Sequence, residues 1–433
     1  MHIVIVGAGP SGLTLALYLS KYKSAKVTLV DQNDSIGGCH RVYRDKKHNG
    51  FFSEHAPKVY NDNAVNFKQL LKNELYIDFY DLFEKITDNS IDLSGFLNVV
   101  TYKEWFHLMI AHIRRKMNKK YGKTISIADF IQKNNFSDYS KYEIDLICSF
   151  SGLKPEKYTL SDFIDFFVQN KLRLYKPRLP NDKALFNIWQ YALKLKDVDI
   201  LLNSKVEKIE THEKYICIKN TDPIRPIHII QYDTLILAIP PISSNQLLSN
   251  KDLFMNEFDA YVEKTSRITF LCLSYIWDGV VDIHPRIDRD HPWGIIYTTQ
   301  YDDPYTVLTV ECSKLDTLFL NKTLNEISTK KKVVSSVYKA LDMPSTVPDY
   351  KTGFVFDKNK HVNGSWQMLE KSFVKVLGTE TMSFKSKDVN IFTVGCHTGK
   401  NSYSFNNIES AVTNAMILYT HITGEILPIK NTK

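Results

Sequence analysis

The chain has 433 residues, enough for two or three structural units and a sizeable core. Hydrophobic residues make up 43% and charged residues 24%, ordinary globular usage that excludes a disordered, collagen-like or disulfide-scaffold protein. The 55 basic against 48 acidic residues leave +7 spread along the chain, so no nucleic-acid partner is expected.

Six cysteines (Cys39, Cys148, Cys217, Cys272, Cys312 and Cys396) are scattered without CxxC or zinc-like spacing. That pattern suits reduced thiols in a cytoplasmic setting, and no metal site is expected. A strand pattern follows Met1 almost directly and no apolar run reaches the ~18 residues of a membrane span, so neither a signal peptide nor a membrane anchor is expected.

From the start of the chain, His2-Ile3-Val4-Ile5-Val6 is an uncharged β-branched run, the mark of a strand buried on both faces in a parallel sheet. It stops at Gly7-Ala8-Gly9-Pro10-Ser11-Gly12. A helix follows through Leu13, Leu15, Ala16, Leu17 and Leu19, and a second strand, Lys26–Val30, ends in Asp31. In this βαβ unit Gly7 permits the tight turn, Gly9 admits a pyrophosphate to the backbone, and Gly12 lets helix pack on strand. Free N–H groups and the positive dipole end of the helix favour the anion. Asp31, with Gln32 beside it, is placed to accept hydrogen bonds from ribose hydroxyls and to repel the extra phosphate of NADP. The motif by itself leaves NAD and FAD open; the paired Gly37-Gly38 soon afterwards brings a second backbone loop to the cofactor and favours FAD.

Residues 66–180, rich in Phe, Leu, Tyr and Lys, read as a helical insertion. Within it Phe106, Met109, Ile110, Ile113 and Met117 share one helix face. The densest basic stretch of the chain (Arg114, Arg115, Lys116, Lys119, Lys120 and Lys123) follows, and reads as a solvated helix end whose cations suit the dipole. Ile200–Ile209 and Tyr232–Pro241 read as strands with a turn. A second insertion, 246–384, holds strand patterns at Ile268–Ile276, Trp293–Thr299 and Thr306–Glu311. Ile391–Thr398 is a strand running into a glycine turn, with a helix from Ile408 onward.

On these stretches the chain resembles the flavin-containing amine oxidase superfamily, which includes protoporphyrinogen oxidase-like and UDP-galactopyranose mutase-like proteins. The N-terminal GAGPSG with Asp31 and Gly37-Gly38, the middle pair of strands through AIPP, and the C-terminal strand, turn and helix occur in the family's order. The resemblance implies an α/β fold: a Rossmann-like FAD-binding domain built from residues 1–65, 181–245 and 385–433, with an α+β substrate domain inserted at 66–180 and 246–384. It implies that Val206 meets the adenine through its backbone and that the strand through Ala238 and Pro240 closes the FAD domain. It also implies that Gly395, Cys396, Asn407 and Ile408 bring a helix N-terminus to the flavin pyrimidine ring, where reduced flavin carries negative charge. Ala56, Pro57 and Lys58 match the loop that crosses the flavin, with Glu54 and His55 as a second, titrating reading of that loop.

Three positions depart from the family pattern. Arg267 stands where many amine oxidases carry a lysine near the flavin, and a fixed, planar charge cannot act as a tunable amine. Cys396 replaces the usual Glu, and Arg41, held off the paired glycines by Cys39-His40, remains within reach of a phosphate through its donor fork. Tyr403 matches an aromatic that walls the substrate side of the flavin. The expectation is an FAD-dependent oxidoreductase transferring hydride from a C–N or C–C bond of a small-molecule substrate. Two alternatives stay open: a non-redox flavoenzyme of the UDP-galactopyranose mutase type acting on a sugar nucleotide, and a non-catalytic protein that keeps FAD as a structural or partner-binding element.

Overall fold

The computed structural model describes residues 1–22, 25–46, 50–86, 100–150, 153–169, 174–220, 227–248, 251–254, 257–267, 269–286, 291–369, 373–374, 381–388, 390–399 and 407–430. At its centre is a five-stranded sheet ordered Ile391–Thr393, Thr234–Leu237, His2–Val6, Lys26–Val30 and Asp199–Leu201. Every neighbouring pair is parallel, in register Ile5 with Ile236 and with Leu29, for example. The strands come from four distant parts of the chain, so the sheet closes only once those parts have folded together. Ile3, Val4 and Ile5 are fully buried because helices cover one face and a second β layer the other, which is why the run carries no polar alternation. The architecture is α/β with a Rossmann-like parallel sheet.

The helices Pro10–Leu19 and Ile408–Thr423 pack together on one face, joining Leu13, Leu17, Val412 and Met416 in one apolar core. On the other face an antiparallel layer, Ser204–Glu210, Tyr215–Asn220 and Ile227–Gln231, buries Ile209, Ile216 and Ile218 against Val4 and Val6. The helix Val65–Glu74 is tied to the last helix by Glu409, which accepts from the backbone N–H of Asn66 at 3.0 Å and of Phe67 at 2.9 Å. One carboxylate thus answers free donors of a helix start 343 residues away in sequence.

A separate four-stranded antiparallel sheet is ordered Ile295–Asp302, Tyr305–Cys312, Leu271–Asp278 and Thr352–Val355. The first three sit within a few residues of the sequence expectation, whereas Thr352–Val355 has no counterpart among the expected strands. One difference is that Arg267 does not belong to this sheet: Ser266–Arg267 pairs with Phe373–Val374 as a short ribbon of its own. Leu273, Tyr275, Leu308 and Val310 face an apolar core closed by Val333, Val334 and Val337 of the helix Lys330–Leu341. The opposite face carries polar residues and meets the hairpin Val42–Asp45 and Phe51–Glu54.

The 100–169 region holds the helices Tyr102–Met117, Ile127–Lys133, Asp138–Phe150 and Leu160–Gln169. The first is started by a reciprocal capping box: Thr101 accepts from the Glu104 N–H, while Glu104 accepts from the Thr101 N–H at 2.7 Å. Glu104 also accepts from Ser137 N–H at 2.5 Å and Ser140 hydroxyl at 2.9 Å, so a buried carboxylate stitches two helix starts. Burial pushes its pKa up, but its hydrogen bonds to Thr101, Ser137 and Ser140 win and hold it down at about 2. Glu104→Ala removes the three bonds the carboxylate accepts and is expected to cost roughly 1–3 kcal/mol, read from urea unfolding. The folded pKa is depressed, so the stabilisation is present above about pH 4.5 and fades towards pH 2. A variant whose stability falls in parallel with the wild type over that interval would show that Glu104 is not its source.

Candidate functional site

The strand His2–Val6 ends at Gly7, where φ is +110° and a Cβ would lie 2.5 Å from the Ala238 carbonyl oxygen. A Cβ on Gly12 would lie 2.0 Å from the Gly7 carbonyl oxygen, so the helix start seats on the turn only without a side chain. Gly9 is different. Its φ is −78°, and the nearest heavy atom to a Cβ there is the Gly38 Cα at 3.8 Å. Nothing in the fold of the turn demands glycine at this position, which lies on the wall of a cleft.

The paired glycines lie against this turn, with the Gly37 N–H donating to the Ala8 carbonyl at 2.8 Å. A Cβ on Gly38 would stand 2.9 Å from the Gly9 Cα, and one on Gly37, at φ +114°, would enter the Phe186 ring. Arg41 is turned back towards this loop: it donates to the Gly38 carbonyl at 2.8 Å and stacks 4.4 Å from the centre of the Tyr43 ring. Asp31 is built into the same corner. Its Oδ2 accepts from the Ala8 N–H at 2.7 Å, and Oδ1 accepts from the Asn33 N–H and side-chain amide at 2.9 and 2.7 Å. An ionised carboxylate takes roughly four hydrogen bonds, so about one lone pair remains for an outside donor.

A cleft of about 890 Å³ opens over this corner, within the range of roughly 300–1,000 Å³ typical of cofactor and ligand sites. It brings together Gly7, Gly9, Pro10, Ser11, Asp31, Gln32, Gly38 and Arg41 with Val206, Ala238 and Pro240 from the middle of the chain and Gly395, Cys396 and Asn407 from its end. Gly12 and Gly37 stand behind the wall as packing positions. Ile408 is buried as the first residue of the last helix, next to Asn407, whose side chain caps that helix by accepting from the Ser410 N–H at 2.7 Å. Ala56, Pro57 and Lys58 lie just behind His55, which does line the cleft; Pro57 and Lys58 are buried and Ala56 packs beside Phe270 and Phe356. Arg267 is placed only by its backbone pairing with Phe373, and Tyr403 lies outside the described residues.

His397 and Tyr261 are among the wall residues that the sequence reading did not single out. His397 sits under Gly395, where a Cβ would meet its ring at 2.5 Å, and bonds Thr393 at 3.1 Å. Tyr261 reaches the cleft from the helix Glu257–Lys264 and faces His397 edge-on. Neither carries a motif; only the folded juxtaposition reveals them. Burial holds His397 at about 3 and, with Lys58 nearby, His40 at about 3, so both imidazoles are neutral at physiological pH. Burial likewise pushes the Cys396 thiol up to about 12; it donates to the Asn407 carbonyl at 3.2 Å and is no thiolate nucleophile.

Beyond His55 lies a polar sheet face. Strand register sets Ser274 opposite Thr309 and Thr309 opposite Thr298, with Cys272 opposite Glu311, all on the face of the four-stranded sheet turned away from its apolar core. The Cys272 thiol donates to the His55 carbonyl at 2.8 Å, joining this face to the loop after Glu54. Glu54 is wholly buried, and neither of its oxygens has a hydrogen-bond partner among the described residues; the same holds for the Thr298 hydroxyl, both ends of the Gln300 amide and His55 Nε2. Arg44 bridges Asp182, which acts on Glu54, to Asp302 on the strand face of Thr298 and Gln300. Burial raises the Glu54 carboxyl to about 8 despite the opposing pull of Lys58.

These features can be set beside known proteins. The family model described as an NAD(P)-binding Rossmann-like domain matches residues 5–73. No curated protein matches the chain by sequence. Among solved structures, putrescine oxidase bound to putrescine superposes with a TM-score of 0.66 at 12% identity, covering 98% of this chain and 100% of that one. An oxidoreductase from Methanosarcina mazei does so with a TM-score of 0.62 at 14% identity, over 96% and 99% of the two chains. The protein shares its fold with these oxidoreductases. With nearly all of each chain covered, the likeness extends well beyond the Rossmann-like part.

Two outcomes follow. Gly9→Val is expected to leave the fold intact, because the nearest atom to a Cβ there is 3.8 Å away, and to weaken at least about tenfold any dinucleotide binding in the cleft; Gly38→Val is expected to lower the melting temperature as well. Equal loss of stability in both would remove Gly9 from the binding surface. For Glu54 the folded pKa is raised, so its contribution is fully present below about pH 4.5 and is lost as pH rises through about 8. Ligand-free Glu54→Gln is therefore expected to unfold at a urea midpoint flatter between those limits than the wild type; an unchanged slope would exclude Glu54 as its origin.

Proposed function

We propose that the chain is an FAD-dependent oxidoreductase that takes a hydride from a C–N or C–C bond of a small polar molecule. The observation that carries this reading is a single cleft that draws on two helix N-termini, those of Pro10–Leu19 and Ile408–Thr423. A dinucleotide with a pyrophosphate, and an isoalloxazine that becomes negatively charged on reduction, would suit two such helix ends. Gly7, Gly9, Pro10, Ser11 and Gly38 would hold the pyrophosphate, with Gly12 and Gly37 shaping the loops behind. Asp31, Gln32 and Val206 would hold the adenosine half. Ala238, Pro240, Gly395, Cys396, Asn407 and Ile408 would hold the ring system, with the loop of Ala56, Pro57 and Lys58 along its edge. The bound flavin supplies the electron-pair acceptor, and the protein supplies position and field.

With His397 neutral and Cys396 protonated, the start of the last helix provides the favourable potential at that wall. On the substrate side, the partnerless polar atoms of Glu54, Thr298 and Gln300 suit a hydrogen-bonding head group rather than a hydrocarbon. Glu54 can accept a proton or donate one near neutral pH, the property a group facing a reacting amine or alcohol needs. Arg267 and Tyr403 are retained as substrate-side candidates, Arg267 as a fixed positive charge rather than a proton carrier.

The purified protein is expected to carry or take up FAD, and the flavin band to bleach anaerobically with a substrate of this class. A colourless protein that refuses FAD would overturn the cofactor assignment. A flavin that stays oxidised with a broad panel of amines and alcohols, yet gains tight UDP-sugar binding after dithionite reduction, would replace hydride transfer by mutase chemistry.

A further inference from the structure

The helix Tyr102–Met117 is packed inside out. Its inward side is Glu104, Leu108, Ala111 and Arg115, positions spaced i, i+4, i+7 and i+11. Glu104 is consumed by the capping network, Arg115 donates to Asp165 at 2.8 Å, and only Leu108 and Ala111 join the apolar core of this region. The large apolar residues point the other way. Tyr102, Trp105, Phe106, Met109, Ile113 and Met117 form a stripe down the outer side, with Phe106 58%, Ile113 49% and Met117 84% exposed. A globular helix normally buries that stripe, so a surface of this kind marks a contact with something else.

The charges around the stripe define the contact. Between Thr101 and Thr124 the chain carries one acid, Glu104, which is buried, whereas Lys103, Arg114, Lys116, Lys119, Lys120 and Lys123 are all exposed. A row of tryptophan, phenylalanine, isoleucine and methionine rimmed by cations matches the surface of a bilayer containing anionic lipid, where the apolar side sinks into the acyl boundary and the cations meet the headgroups. A symmetric pairing of two copies through this face would set the same cations against each other. A phosphodiester backbone would satisfy the cations but offer nothing to Ile113 and Met117. We propose that this helix docks the protein peripherally on anionic membrane surfaces, lying in the interface plane. No helix among the described residues is long and apolar enough to cross a membrane, so docking is by this face and not by a span.

The test uses the full chain with its native tryptophans. Trp189, Trp277, Trp293 and Trp366 are buried, leaving Trp105 as the exposed reporter. Addition of vesicles of phosphatidylcholine mixed with phosphatidylserine is expected to shift its emission to the blue, and brominated acyl chains to quench it. Partitioning should be at least about tenfold weaker on phosphatidylcholine alone and should fall as salt rises. Phe106→Asp with Ile113→Asp should abolish the shift, and Lys116→Glu with Lys119→Glu and Lys120→Glu should abolish the lipid preference. All five positions are solvent-facing, so circular dichroism should match the wild type in both variants. Absence of vesicle binding, equal binding to neutral lipid, or a dimer in sedimentation that Ile113→Asp breaks would each overturn the proposal, the last by assigning the face to a second copy. Preferential retention on RNA, lost in the lysine variant, would overturn it in favour of nucleic acid.

Discussion

Two backbone loops can lie this closely side by side only if the one turned towards the other carries no side chain at the point of contact. Here that point is Gly9 against Gly38, and a single methyl group on Gly38 would drive a Cβ to within 2.9 Å of the Gly9 Cα. The rest of the corner follows from this approach. Ala8 offers its carbonyl to Gly37 and its N–H to Asp31, so the second strand, the first turn and the paired glycines form one hydrogen-bonded unit. Asp31 in turn receives the Ser204 N–H on its backbone carbonyl, which sets the approach of the strand bearing Val206. A corner bonded this way presents its donors before any ligand arrives, which lowers the ordering cost of binding.

Much of this corner was legible in the chain because each feature is local. A β-branched run, three glycines at fixed offsets and an acid at the next strand end are separated by no more than about thirty residues, and each has one physical purpose. The more distant pieces, Val206, Ala238 and Gly395, were placed by family likeness, and the structure brings them to the same cleft. The sequence reading gave Asp31 one duty, towards a ribose. In the fold most of its accepting capacity is already spent on Ala8 and Asn33, so it is first a clamp on the glycine turn.

The polar sheet face could not be read in the same way. Thr298, Thr309 and Ser274 lie on three strands, and only their register aligns them in a row. Alternation along each strand is visible in the sequence, but which face of the sheet meets a core and which meets the hairpin ending at Glu54 depends on how the sheet is docked. His397 and Tyr261 share this character, being brought together by packing rather than by spacing. Arg267 illustrates the reverse case: the pattern from Ser266 to Asp278 looks like one strand, yet the chain divides it between a two-residue ribbon and the main sheet.

The helix Tyr102–Met117 shows the sharpest limit on periodicity as evidence. The 3.6-residue rhythm of Phe106, Met109, Ile113 and Met117 says that an apolar stripe exists; it is silent on the direction in which the stripe points. Direction was decided by residues between the apolar ones. Glu104 has three donors waiting at two helix starts, and Ala111 is small enough to let the helix approach its neighbours, so the satisfied acid and the small residue turned inward together. An unpaired buried carboxylate costs more than several half-exposed apolar side chains, and this ordering of penalties outweighs the usual rule that the apolar side goes in. A pattern that conflicts with its own packing has a compensating reason elsewhere, and for a stripe bordered by cations that reason is a surface outside the chain.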